Sequence, residues 1–233
     1  MWPGPRGFTL VELLTVIAIV AVLFALSMPL LKNARKSSLA AADLSNLRRI
    51  GHAMHGYAAD NANSINQTST SSPQDVWPDL FWVRASPYLG MSLAENGPLT
   101  TLQLQQAANK FNNKTLASID SRYVGTFAGA IQPFAFNVRL FNYNAPPVGG
   151  GKSTDHFRKL TEFPSLVSTP YIAVGRWSFA SGTPGPLPNP ASPGNGVLWP
   201  YPKQQTIVVY LDGHAALRGE AITEEDCWGG IAH

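Results

Sequence analysis

The sequence predicts an α+β protein: one long helix, apolar in its first half, laid in its second half on a small antiparallel sheet. Three observations carry the prediction. An apolar run extends from Phe8 to Leu31. Beyond it, Leu44, Leu47, Ile50, Met54 and Tyr57 recur at spacings of three and four, which places them on one helix face. Late in the chain, Thr206–Leu211 (TIVVYL) is followed by Asp212-Gly213 and a second apolar stretch, a strong short-range hairpin signal.

The first element is set by length. Phe8 to Leu31 is 24 residues with one formal charge, Glu12. A helix of that length crosses about 30 Å of hydrocarbon. A carboxylate in such a place is disfavoured by a few kcal/mol, less near the interface than at the midplane, and is a functional candidate whose partner should be named. The residues before it, Met1–Gly7, hold Pro3, Pro5, Arg6 and a final glycine. A secretory signal would place a small-residue cleavage site after the apolar run. Met28-Pro29-Leu30 lacks that pattern, so removal of the whole run is not expected.

The string Arg6-Gly7-Phe8-Thr9-Leu10-Val11-Glu12 resembles the signature of type IV prepilins and type II secretion pseudopilins. The resemblance is close from Arg6 to Leu31 and looser over the next thirty residues. It implies a pilin-like fold and a cut after Gly7 by a prepilin peptidase on the cytoplasmic side of the inner membrane. The same enzyme would then methylate the new amine of Phe8. Glu12 lies four residues on. In a staggered filament its carboxylate can meet the Phe8 amine of the next subunit, an attraction of roughly 4 kcal/mol at 4 Å and an effective dielectric near 20, before desolvation. The bland alternative is a carboxylate that snorkels to the headgroups.

Charge bounds the partners. A net charge of +3, scattered along the chain, gives no nucleic-acid footprint. The lone Cys227 excludes an intrachain disulfide and a cysteine-based zinc site. The distribution of Lys and Arg opposes the topology implied by the resemblance. Lys32, Arg35 and Lys36 follow the span, against Arg6 and the initial amine before it, and the positive-inside rule would put the later residues in the cytoplasm. The signature specifies a cut site and outweighs a statistical rule. The domain is therefore expected outside the cytoplasm on a single-pass anchor.

From Ala34 to Ala59 the composition favours helix, so one helix is expected from about Thr9 to Asp60, with Pro29 kinking or locally melting it. Arg48, Arg49 and Asp60 lie off the apolar face. LSNLRRIGHAMHGYAADN resembles the corresponding stretch of bacterial prepilin-like proteins. The expected organisation is a leader over 1–7, a membrane segment over 8–31, an amphipathic helix over 32–62 and a globular domain over 63–233. Ser64–Gln74 is polar and reads as a loop. Asp75–Leu89 reads as a short helix ending near Pro87, and Leu99–Ile119 as another helix. Strands are expected over Arg122–Ala128, Pro133–Tyr143, Tyr171–Phe179 and Thr206–Leu211, with His214–Arg218 completing the hairpin. In the second of these, Phe134, Phe136, Val138 and Leu140 would share one face, and Asn137 and Arg139 the other. Ala145–Ser153 reads as variable surface. Ser181–Pro202 holds seven prolines and is expected to be irregular, ordered through Trp199 and Tyr201.

Other constellations are weaker. Gly151-Lys152-Ser153 lacks the earlier glycine of a phosphate-binding loop, since Pro146 occupies that place. His52 and His55 share a helix face without a carboxylate. Glu220, Glu224, Glu225 and Asp226 leave calcium conceivable, but they lack glycine-punctuated spacing and also read as a solvated helix start. Leu211-Asp212-Gly213-His214 resembles the DGH strand near the C-terminus of many bacterial prepilin-like proteins, with no role implied. Asp212 at a turn ordinarily bonds its own backbone. The leading reading is therefore a structural, non-enzymatic subunit without a cofactor or metal. Its partners would be prepilin peptidase, other pilin or pseudopilin subunits and inner-membrane lipid. The competing reading is a membrane-tethered binding module or enzyme.

Overall fold

The computed structural model describes residues 9–65, 85–90, 125–127, 130–132, 134–140, 159–179, 181–183, 185 and 196–230. The expected loop after Ile65, most of the 75–89 helix, the 99–119 helix and the 145–153 surface lie outside these residues. By contacts the chain divides into two units, Met1–Leu39 and Ala40–His233.

Helix α1 runs Leu10–Asp60 and continues through Pro29 without a break. It ends where Ala62 and Asn63 take positive φ of 53° and 62°, and the Asn63 N–H returns to the Ala58 carbonyl at 2.8 Å. Such a left-handed stop satisfies a carbonyl left over at the helix end. In the first unit the apolar side chains of Leu10–Leu31 are exposed throughout. In the second, Leu47, Ile50, Met54 and Tyr57 are buried, as their spacing predicts. Asp43 and Asn46 are also buried on this helix, which the apolar pattern did not announce.

Strands β1 (Gly125–Phe127) and β2 (Ala130–Gln132) form an antiparallel pair. The main sheet contains β3 (Phe134–Asn137), β4 (Pro170–Phe179), β5 (Gly196–Val197), β6 (Thr206–Tyr210) and β7 (Ala215–Arg218). Its order is β3-β4-β6-β7, with β5 paired to β4. The β4–β5, β4–β6 and β6–β7 pairs are antiparallel. The β3–β4 pair is parallel, with its register shifting at Ala135 and Phe136. The chain from Val138 to Thr169 between them supplies the long crossover a parallel pair needs. This is the α+β arrangement expected from the sequence, with one parallel pair added.

The sheet is covered on both faces. Phe134, Phe136, Ile172, Val174, Ile207, Val209, Leu211 and Ala215 pack with the buried stripe of α1. Ala135, Ala173, Val208 and Tyr210 pack on the other side with Trp199, Ile222 and Cys227. The alternation Ile207/Val209 against Val208/Tyr210 is the period-two pattern of a strand whose two sides both meet apolar neighbours.

The expected strand over 133–143 is shorter than predicted. It stops at Asn137 and a 3-10 turn follows over Val138–Leu140. The Asn137 side chain explains the stop. Its oxygen accepts from the Arg139 N–H at 3.0 Å, drawing the chain into a turn. Its amide donates to the carbonyls of Pro170 (2.7 Å) and Cys227 (2.9 Å). Asn137 is therefore buried.

The cover on that face ends in α2, Glu224–Trp228. Thr223 caps it, accepting from the Asp226 N–H at 3.0 Å, while Asp226 accepts from the Thr223 N–H at 2.9 Å. Arg218 donates to Asp226 at 2.7 Å, and Arg139 pairs with Glu224 and lies 5.1 Å over the Trp228 ring. Burial raises the Asp226 pKa, but the Thr223 N–H and the Arg218 guanidinium outweigh it and the net shift is downward. Of the acids weighed for calcium, Glu224 and Asp226 thus serve as ion-pair partners. Among the described residues no group of three or more His, Cys, Asp or Glu side chains converges.

Cys227 is fully buried, and burial, helped by the Asp226 charge, pushes its thiol up to about 12. In the native protein a thiol alkylating reagent at pH 8 is expected to react more than ~100-fold slower than in the unfolded chain, because the thiolate is both scarce and covered. Comparable rates would show that the α2 cover opens freely.

Candidate functional site

Two places in the chain invite functional readings, and physical chemistry separates them. The first is the start of α1. Thr9 precedes the helix, and its side-chain oxygen accepts from the Glu12 N–H at 3.3 Å. Glu12 Oε2 in turn accepts from the Thr9 N–H at 2.9 Å and from the Thr9 hydroxyl at 2.8 Å. The arrangement is a reciprocal capping box. It is legible in the spacing Thr9-x-x-Glu12, and it gives Glu12 partners within its own chain. A carboxylate at a helix N-terminus also faces the positive end of the macrodipole. These interactions compensate part of what an acid in an apolar setting costs.

Around this box the helix surface is apolar and exposed, with Leu10, Val11, Leu13, Leu14, Val16 and Ile17 all open. By length and composition α1 suffices to cross a membrane. Residues 3–28 match the family model for the prokaryotic N-terminal methylation motif. The chain carries a prepilin-type N-terminal motif. No curated protein and no solved structure matches it significantly. Such a motif implies processing by prepilin peptidase and assembly with pilin-type subunits in general. Motif and apolar helix together fit an inner-membrane anchor. Gly7 and Phe8 lie within the matched stretch but outside the described residues.

Replacing Thr9 by Val should remove the hydroxyl half of the box and cost the helix start about 1 kcal/mol. Amide exchange at Leu10–Leu13 of the full-length chain in detergent is then expected to speed up roughly fivefold. Unchanged exchange would mean that the hydroxyl does not cap the helix.

The second place is the Asp212-Gly213-His214 turn. Gly213 has φ of +87°, the left-handed region a non-glycine residue enters at a cost. The turn closes through Gly213 N–H to the Tyr210 carbonyl and Tyr210 N–H to the His214 carbonyl, both 2.9 Å. Asp212 Oδ1 accepts from the His214 N–H at 3.1 Å and lies 2.5 Å from His214 Nδ1. The His214 ring stacks on Tyr210 at 4.4 Å between centroids. Thr169 and Leu166 carbonyls accept the Leu211 and Asp212 N–H groups. The side-chain bonds of Asp212 thus stay within its own turn, on His214, as a turn aspartate's usually do.

The turn also meets α1 within the second unit. A Cβ on Gly51 would lie 2.2 Å from the Gly213 carbonyl oxygen, and one on Gly213 would lie 2.6 Å from the His55 ring. Arg48 Nε reaches the Ala215 carbonyl at 3.4 Å. The turn thus packs backbone to backbone on the helix, a docking role that the LDGH string alone did not indicate. His55 is half-buried against it, whereas His52 is exposed.

Farther along the same helix, the Tyr201 hydroxyl donates to the buried Asp43 carboxylate at 2.8 Å. Burial and the Asp43 charge push the Tyr201 phenol well up. This bond ties the proline-rich segment to α1, and Trp199 is buried beside it in sequence.

Proposed function

We propose that this prepilin-like chain is a structural, non-enzymatic subunit of a type IV pilus or a type II secretion pseudopilus. The methylation motif over residues 3–28 carries the reading. Prepilin peptidase cuts after Gly7 and methylates Phe8. The apolar helix anchors the chain once in the inner membrane, with the domain extracytoplasmic. In the filament, Glu12 leaves its partnership with Thr9 in part and takes the Phe8 amine of the neighbouring subunit.

The capping box supports this sequence of events. Before assembly the carboxylate has hydrogen-bond donors from its own chain, Thr9 N–H and hydroxyl. A charged amine adds an ion pair to donors already in place, and a charge-assisted bond is about twice as strong as a neutral one. Exposure of the helix from Leu10 to Leu31 supplies the apolar surface that either lipid or other subunits would cover.

Mass spectrometry of the N-terminus of membrane-extracted protein tests the reading. The expected result is loss of Met1–Gly7 with one methyl group on the Phe8 amine. An intact Met1–Gly7 leader in cells that hold the peptidase would overturn it.

A further inference from the structure

We propose that Lys32, Arg35 and Lys36 form a seat for the phosphate headgroups of anionic phospholipids, in the leaflet at the C-terminal end of the apolar run. The inference rests on the reading of Leu10–Leu31 as membrane-spanning.

The three cations follow Leu31 directly within α1 and all are exposed. Their spacing of i, i+3 and i+4 confines them to an arc of about 100° on the helix. Like charges so placed repel each other. No Asp or Glu occurs between Glu12 and Asp43, so no acid lies within a helical turn of any of them. The countercharge must come from outside this stretch of helix.

Position identifies the source. The helical stretch from Leu10 to Leu31 spans about 33 Å, slightly more than the ~30 Å of hydrocarbon. Lys32 then begins where the headgroups begin. Long aliphatic stems lie along the apolar boundary and carry their charges to the phosphates. Asn33, Ser37 and Ser38 complete a polar collar. A zwitterionic lipid offers a phosphate with its own cation attached, whereas an anionic lipid offers uncompensated charge. Each cation near an anionic surface favours it by about fivefold. The seat also gives these cations a role independent of orientation, although their number opposes the positive-inside rule.

The full-length chain is reconstituted in nanodiscs of equal parts phosphatidylglycerol and phosphatidylcholine. Spin-labelled analogues of each lipid then report which one the protein immobilises. The expected result is a preference for phosphatidylglycerol of about fivefold or more, weakened in 1 M salt. It should vanish in the triple variant Lys32→Gln, Arg35→Gln, Lys36→Gln and persist in Lys32→Arg, Lys36→Arg. An inserted native chain with no preference, or a triple variant that keeps it, refutes the seat while leaving the anchor intact. A chain that fails to enter the discs refutes the membrane reading itself, and the seat with it.

Discussion

Glu12→Ala is expected to leave cleavage after Gly7 and methylation of Phe8 intact while reducing filament yield at least ~10-fold. The carboxylate is the one formal charge between Phe8 and Leu31. Opposite charges about 4 Å apart attract by roughly 4 kcal/mol at an effective dielectric of 20. Desolvation consumes part of this, and 1.4 kcal/mol of net attraction per subunit contact already gives a tenfold factor. Alanine also deletes the acceptor for the Thr9 N–H and hydroxyl, which lie 2.9 and 2.8 Å from Glu12 Oε2. Glu12→Gln separates the two roles, because the amide oxygen still accepts but carries no charge. If charge pairing drives assembly, Gln should fail nearly as badly as Ala. Filaments counted by electron microscopy, with N-terminal mass spectrometry as the processing control, decide it. Normal filaments in Glu12→Ala would end the role assigned to this residue.

Gly51→Ala is expected to destabilise the protein although alanine favours helices. In an exposed helix interior the exchange would gain about 1 kcal/mol. Here the added carbon would lie 2.2 Å from the Gly213 oxygen, 2.9 Å from its carbonyl carbon and 3.1 Å from its Cα. All three are backbone atoms, so no side-chain rotation relieves the contact. Helix and turn must separate, an overpacking cost of about 3 kcal/mol. The net loss of about 2 kcal/mol corresponds to a Tm drop of about 4–8 °C for a domain of this size. Gly219→Ala is the control, since its nearest neighbour would be a Gln205 side-chain carbon at 3.5 Å. That exchange should stay within about 0.5 kcal/mol. Thermal unfolding of the full-length protein in detergent reads both. A Gly51→Ala protein as stable as the native chain would show that the helix does not rest on this turn.

The sequence by itself determined the elements whose signals are local. Apolar length set the membrane-crossing half of α1, three-and-four spacing set its buried stripe, and TIVVYL followed by Asp-Gly set the β6–β7 hairpin. The string from Arg6 to Glu12 set the prepilin-like reading, because peptidase recognition acts on a short contiguous stretch. Tertiary structure decided what depends on residues far apart in the chain. Alternation placed Asn137 opposite Phe134 and Phe136 without naming a partner, and the carbonyls of Pro170 and Cys227 take its amide. Nothing in the local pattern around Asp43 announces Tyr201, 158 positions later, whose hydroxyl it accepts. The parallel β3–β4 pair and the Gly51–Gly213 contact likewise join residues whose encounter no local period encodes. A side chain's periodicity reports which way it points, whereas its partner is fixed only when the chain closes on itself.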